Sequence, residues 1–227
     1  FMDSMHRLVK SLFMGGVTRR FPELPVAVLE CGVGWGAILL ADLVEHWEKR
    51  SLEGLANLDP GAIDWALLEE QARRFGGPAL AEASPEALRT SLEALPAVGR
   101  EPEDRDDWRH LEISSEKELV SLFAEHFYFG CEADDRTVAF AFSKANPQGA
   151  RLRPVFSSDL SHWDVTDMSD VVAEAHELVE GGVIDDADFT DFVWRNPLRL
   201  LTGVRPDFFE GTAVESAARA ELGTDPR

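Results

Sequence analysis

Cysteine is scarce in this chain: Cys31 and Cys131 are the only two in 227 residues, far apart and in apolar surroundings. A disulfide framework is therefore not expected, and a reducing cytoplasm is the expected compartment. Bases are scarce as well. Lysine and arginine number 22 against 42 acids, for a net charge of −20 and a pI near 4.6. Nucleic acid and anionic membrane would both repel such a surface, so neither is expected as a partner. No apolar run approaches the ~18 residues of a membrane span, and no basic-then-apolar leader precedes a small-residue cleavage site. The chain thus reads as soluble and intracellular. Internal repeats and low-complexity linkers are missing. The six histidines never pair: the closest two, His162 and His176, stand 14 residues apart, so no His-x-His or His-Glu-x-x-His exists.

A hydrophobic content of 44% is enough for a buried core in one or two ordinary domains. The pattern alternates between two periods. Met5, Leu8, Val9, Leu12 and Phe13 carry helical spacing, and Gly15-Gly16 stops it. Pro25 to Glu30 is a short continuous apolar run, as expected of a strand buried on both faces. The glycine-rich turn from Cys31 to Gly36 follows, then a helix from about Ala37 to Lys49. A helix opened by a capping box, Ser115 to Glu118, leads into a second strand, Phe127 to Cys131. A helix starting at Asp134 or Asp135 runs through Phe142 to a third strand, Leu152 to Phe156. After it come helices at about Met168 to Val179, Phe189 to Trp194, and Pro197 to Leu201, the last with Asn196 as N-cap and Gly203 as C-cap. Three strand-then-helix units imply an α/β fold with a parallel sheet. Ser51 to about Leu111 reads as a helical insertion, with helices opening at Asp59-Pro60 and Ser84-Pro85. Its charged stretch, Arg100 to Asp107, reads as a solvated loop. Ala213 to Arg227 reads as a loosely held tail.

The third strand runs out through Ser157-Ser158 onto Asp159, followed by Leu160-Ser161-His162-Trp163-Asp164. An acid at the carboxyl end of a strand, just before a helix, is where α/β enzymes keep a catalytic or metal-binding group. The alternative is that Asp159 and Asp164 cap turns.

Gly15 to Val26 with Leu29 to Trp35, Phe156 to Asp164, and Asn196-Pro197-Leu198-Arg199-Leu200 occur in an order that resembles the amidohydrolase-related family. That family includes aminocarboxymuconate-semialdehyde decarboxylase and the resorcylate-type decarboxylases. The likeness covers about Met5 to Arg50 and Glu118 to Gly211. It implies that the chain is the C-terminal part, strands six to eight with their helices, of a (β/α)₈ barrel, spanning residues 1–211 with the insertion at about 51–111 and a tail at 212–227. By the same resemblance, Asp159 is both the catalytic acid and a ligand of a divalent metal, zinc first among candidates. The remaining ligands would come from strands the chain lacks, so the fragment alone is expected to be inactive.

Where the decarboxylases carry a histidine at the sixth strand end, this chain has Glu30, set to reach into the barrel mouth as a proton shuttle or substrate contact. Its alternative role is to tie down the glycine turn or pair with an arginine. His162 would orient Asp159 or contact substrate, or else bond the loop backbone. Trp35 and Trp163 read as packing, and both cysteines as small buried hydrophobes rather than nucleophiles.

The implied function is a metal-dependent hydrolase of a small, aromatic or carboxylated, organic substrate. A carboxy-lyase of the same family and a catalytically silent half-barrel scaffold are the alternatives. Open edges of a three-stranded parallel sheet further imply a covering partner: the missing half-barrel, another chain, or a homo-oligomer. The strand at 25–30 is the edge expected to be covered, by such a partner or by the insertion helices.

Overall fold

A computed structural model describes residues 2–56, 59–93 and 106–224. Two compact units emerge: residues 1–44 with 110–227, and residues 45–109.

The larger unit is built on β1 (Val26–Val28), β2 (Phe127–Cys131) and β3 (Arg153–Phe156), all parallel in the order β1-β2-β3. Val26 stands opposite Phe127, and Gly130 opposite Val155. The expected parallel arrangement holds, with the carboxyl ends of the three strands at one edge of the sheet. The architecture is mixed α/β, and among the described residues the sheet does not close on itself.

The central strand is buried along its whole length, which explains its uninterrupted apolar run. Gly130 within it is required sterically, because a Cβ there would stand 2.9 Å from the Cα of Leu29. Helices α1 (Met2–Met14) and α7 (Glu116–His126) lay Phe13 and Phe123 over the sheet. Their rings meet edge to face at 5.4 Å, and Phe123 meets Phe127 at 5.0 Å. Helix α2 (Val17–Arg20) follows Gly16, whose φ of 74° ends α1 as expected. Helix α3 (Gly34–Arg50) starts three residues earlier than its periodicity suggests, taking half of the glycine-rich turn into its first turn. It buries Leu39, Leu40 and Leu43 completely.

The capping box is shifted by one residue. Ser115 Oγ accepts from the Glu118 N–H at 3.2 Å, but the Glu118 carboxylate reaches back to the N–H of Ser114 rather than of Ser115, and also pairs with Arg19. Helix α8 (Val138–Ala141) is a single turn, shorter than expected.

Beyond β3, α9 (Val171–Glu180), α10 (Asp186–Thr190), a π-helical turn at Asp191–Arg195 and α11 (Asn196–Val204) complete the cover. Two sequence expectations are corrected here. Asn196 is not an N-cap: its backbone is helical, because the π turn runs straight into α11, and its buried side chain donates to the Pro154 carbonyl at 2.9 Å. Gly203 lies inside α11, whose C-cap is Arg205. The segment read as a loose tail contains helix α12 (Glu215–Thr224), held by buried Ala218 and an ion pair from Glu221 to Arg195 at 2.7 Å; residues 225–227 lie outside the described residues.

In the smaller unit, α4 (Trp65–Phe75) is capped by Asp64, and α5 (Gly77–Ala81) and α6 (Pro85–Glu93) follow. Ser84 caps α6 as expected, its Oγ accepting from the Ala87 N–H at 3.1 Å, whereas Asp59-Pro60 opens only a 3₁₀ turn, Pro60–Ala62. The Arg89 guanidinium lies over the Trp65 ring at 4.6 Å. Most of the charged stretch, residues 100–105, lies outside the described residues; Asp107, at its end, binds His46 at 3.0 Å. No helix among the described residues is long and apolar enough to cross a membrane.

Candidate functional site

Each strand hands its chain to a loop that carries at least one acid at the carboxyl edge of the sheet. After β1, Glu30 has a φ of 57° and Gly32 a φ of 64°. Gly32 suits this conformation, and a Cβ there would lie 2.7 Å from Asp135 Oδ2 and displace that carboxylate. The two loops after β1 and β2 enclose a hollow of about 350 Å³ that Glu30, Trp35, Glu132 and Asp135 help to line. Glu30 makes no ion pair among the described residues, so the expected alternative of an arginine partner is not found.

After β3 the backbone is held in unusual conformations. Asp159 and Ser161 have φ values of 48° and 81°, sparsely populated for residues with a Cβ and often associated with functional sites. This loop brings Asp159, His162 and Asp164 together, one ligand atom from each lying within 4.8 Å of the others. His162 Nδ1 is 3.3 Å from Asp159 Oδ2 and forms a short contact with Asp164 Oδ1. The imidazole thus bridges two carboxylates and does not bond the loop backbone through its ring. Asp159 caps no helix: α9 begins at Val171, and the turn before it is made by Asp167, whose Oδ1 accepts from the Ser169 N–H at 3.0 Å.

Asp159 and Asp164 open onto a cleft of about 470 Å³, which Glu132, Asp134, Asp167 and Asp170 also line. Glu132, directly after β2, borders both hollows. Partial withdrawal from water raises the pKa of its carboxyl, and the charges of Asp134, Asp159, Asp164 and Glu30 raise it further. The hydrogen bond to Asp164, with the fields of that residue, Asp159 and Glu30, raises the pKa of His162, while the same bond lowers that of Asp164.

Sequence reading singled out Asp159, Glu30 and His162; it passed over Glu132 and assigned no role to Asp164 beyond a turn. The missed signal at Glu132 was its position directly after a fully apolar strand, the reasoning already applied to Asp159. Of the tryptophans, Trp35 is packed as expected, edge to face on Phe129 at 5.3 Å. Trp163 is not: it is 85% exposed beside His162. Both cysteines are free; burial raises both thiol pKa values, Cys131 the more, so neither is primed as a nucleophile.

No protein family, curated protein or solved structure matches the chain.

Proposed function

We propose that this chain supplies the C-terminal part of a metal-dependent barrel hydrolase of the amidohydrolase-related kind, with β1, β2 and β3 as its sixth to eighth strands. Its substrate would be a small organic molecule, aromatic or carboxylated. The observation that carries this reading is the Asp159–His162–Asp164 group directly after β3, on the same sheet edge as Glu132 and Glu30. One imidazole nitrogen and two carboxylate oxygens suit zinc or manganese, and three protein ligands with open positions is the pattern of a catalytic rather than a structural site. A divalent ion bound there supplies Lewis acidity and lowers the pKa of water to about 7.

The chain's own residues then divide the work. Asp159 would help to hold the ion and would take up the proton of the attacking water. His162 must give up the proton that its neighbours favour before its nitrogen can ligate, so binding releases protons as it proceeds. Glu132, with its carboxyl pKa raised, would carry a proton to and from the reacting group more readily than an ordinary glutamate. Glu30 faces the substrate from β1. The same raised carboxyl favours proton delivery to carbon, the step a carboxy-lyase needs, and that is the alternative chemistry. The half-exposed donor side chains favour the third reading, a silent scaffold.

Titration calorimetry of chelator-treated protein with zinc and manganese tests the proposal. About one equivalent should bind with proton release, and Asp159→Asn and His162→Ala should each weaken binding about tenfold or more. Binding that neither substitution alters would remove the site, and with it the hydrolase reading.

A further inference from the structure

At the opposite, amino-terminal edge of the sheet, cations gather among the acids. A hollow of about 350 Å³ lies between α7 and the start of β3, and Lys117, Ser121, Glu125, Gln148, Arg151 and Arg153 help to line it. Three cations converge there in a chain whose net charge is −20. Arg151 is already neutralised, donating to Asp188 and Asp191 at 2.6 and 2.8 Å.

Arg153 is different. Its Nη1 donates to the Glu125 carbonyl at 2.6 Å and to the Tyr128 hydroxyl at 2.7 Å, both uncharged acceptors, and the guanidinium carbon lies 5.2 Å from the Tyr128 ring centroid. These contacts hold the group in place without cancelling its charge. Neither Arg153 nor the exposed Lys117 forms an ion pair among the described residues. One wall of the hollow is a turn in which Gln148 and Gly149 are both left-handed, with φ values of 55° and 66°; Gln148 is tied there by its amide, which donates to Glu116 at 2.9 Å.

We propose that this hollow is a binding site for a small dianionic oxyanion, a phosphate either free or as a simple monoester. Arg153 offers a planar fork fixed in advance by neutral partners, the arrangement that favours two parallel hydrogen bonds to one phosphate. Lys117 adds a mobile point charge, and the Ser121 hydroxyl a further donor. Glu125 sets the limit on one side, because its carboxylate repels anions that reach past it. The site lies at the sheet edge opposite Asp159 and depends on none of the chemistry proposed there.

The test is calorimetry with inorganic phosphate and with glycerol phosphate, at constant ionic strength, on chelator-treated protein so that no metal carries the anion. Wild type should bind one equivalent of at least one of them. Lys117→Gln, a change at an exposed and unpaired side chain, should weaken binding about threefold or more, and Arg153→Gln about tenfold or more, the worth of one charge-assisted pair. If Arg153→Gln fails to fold by circular dichroism, Lys117→Gln together with Lys117→Glu, which should abolish binding, decides the matter. Tighter binding of the monoester assigns the ligand to an ester, and tighter binding of inorganic phosphate to the free ion. Absence of binding to wild type, or equal affinity in the Lys117 variants, overturns the proposal.

Discussion

Asn196 Nδ2 donates to the carbonyl oxygen of Pro154 at 2.9 Å, joining α11 to β3 in the interior. The Ser157 N–H bonds Cys131 on β2, so by alternation along the ladder Pro154 faces the outer edge of the sheet. Proline has no N–H to offer there, and its carbonyl is taken by Asn196. At Pro154 that edge therefore offers neither a donor nor a free carbonyl. Asn196→Ala leaves a buried carbonyl unpaired and should cost about 1–3 kcal/mol in urea denaturation. A loss under about 0.5 kcal/mol would mean that α11 is held by its apolar contacts alone.

Glu118 offers a pH-dependent test. The Ser114 hydroxyl and N–H donate to its carboxylate and Arg19 pairs with it, which lowers its pKa from 4.5 to about 2. A lowered acid stabilises the fold above its unfolded value and loses that contribution as pH falls through the folded one. Wild type should therefore exceed Glu118→Gln by about 1 kcal/mol at neutral pH. The gap should close between 4.5 and about 2. A pH-independent gap would count against the shift.

His162 should titrate above its ordinary 6.5 in histidine NMR spectra, because Asp164 and then Asp159 favour its cation. The linked stabilisation is present below 6.5 and is lost as pH rises through the folded value. Asp164→Asn removes the larger contribution and should bring the midpoint back toward 6.5. An unchanged midpoint would show that the pair does not form in solution.

Glu132 should cost stability. Its folded pKa lies above 4.5, so its ionised form is disfavoured in the fold and the cost is complete at neutral pH. Glu132→Gln should melt higher than wild type at pH 7, the difference vanishing below about 4.5. A group kept against stability is characteristic of a working site. A lower Tm for the variant would make Glu132 a structural residue.

Much of the fold was legible in the chain. Phe127 to Cys131 reads as a buried strand because a central parallel strand needs apolar groups on both faces, and Ser115 announces α7 because a helix start needs an acceptor for its free N–H groups. Both are local requirements. Among the described residues no further strand pairs with the outer edge of β1.

The site was half legible. Asp159 stood out because it follows a strand, and His162 because it lies three residues on. Its bridge between two carboxylates depends on the left-handed backbone at Asp159 and Ser161, which no pattern of residue types announces. Glu132 and Glu30 are 102 positions apart in sequence (132 less 30), yet parallel pairing of β1 with β2 sets their loops around one hollow and lets their charges act on each other. The sequence by itself determined the strands, the helix starts and the acid after β3, because each answers to hydrogen bonding and burial within a few residues. Which acids share a field, where Arg153 keeps its charge unspent and which carbonyl Asn196 reaches follow from the tertiary structure alone, because electrostatics and long-range hydrogen bonds depend on distances in space.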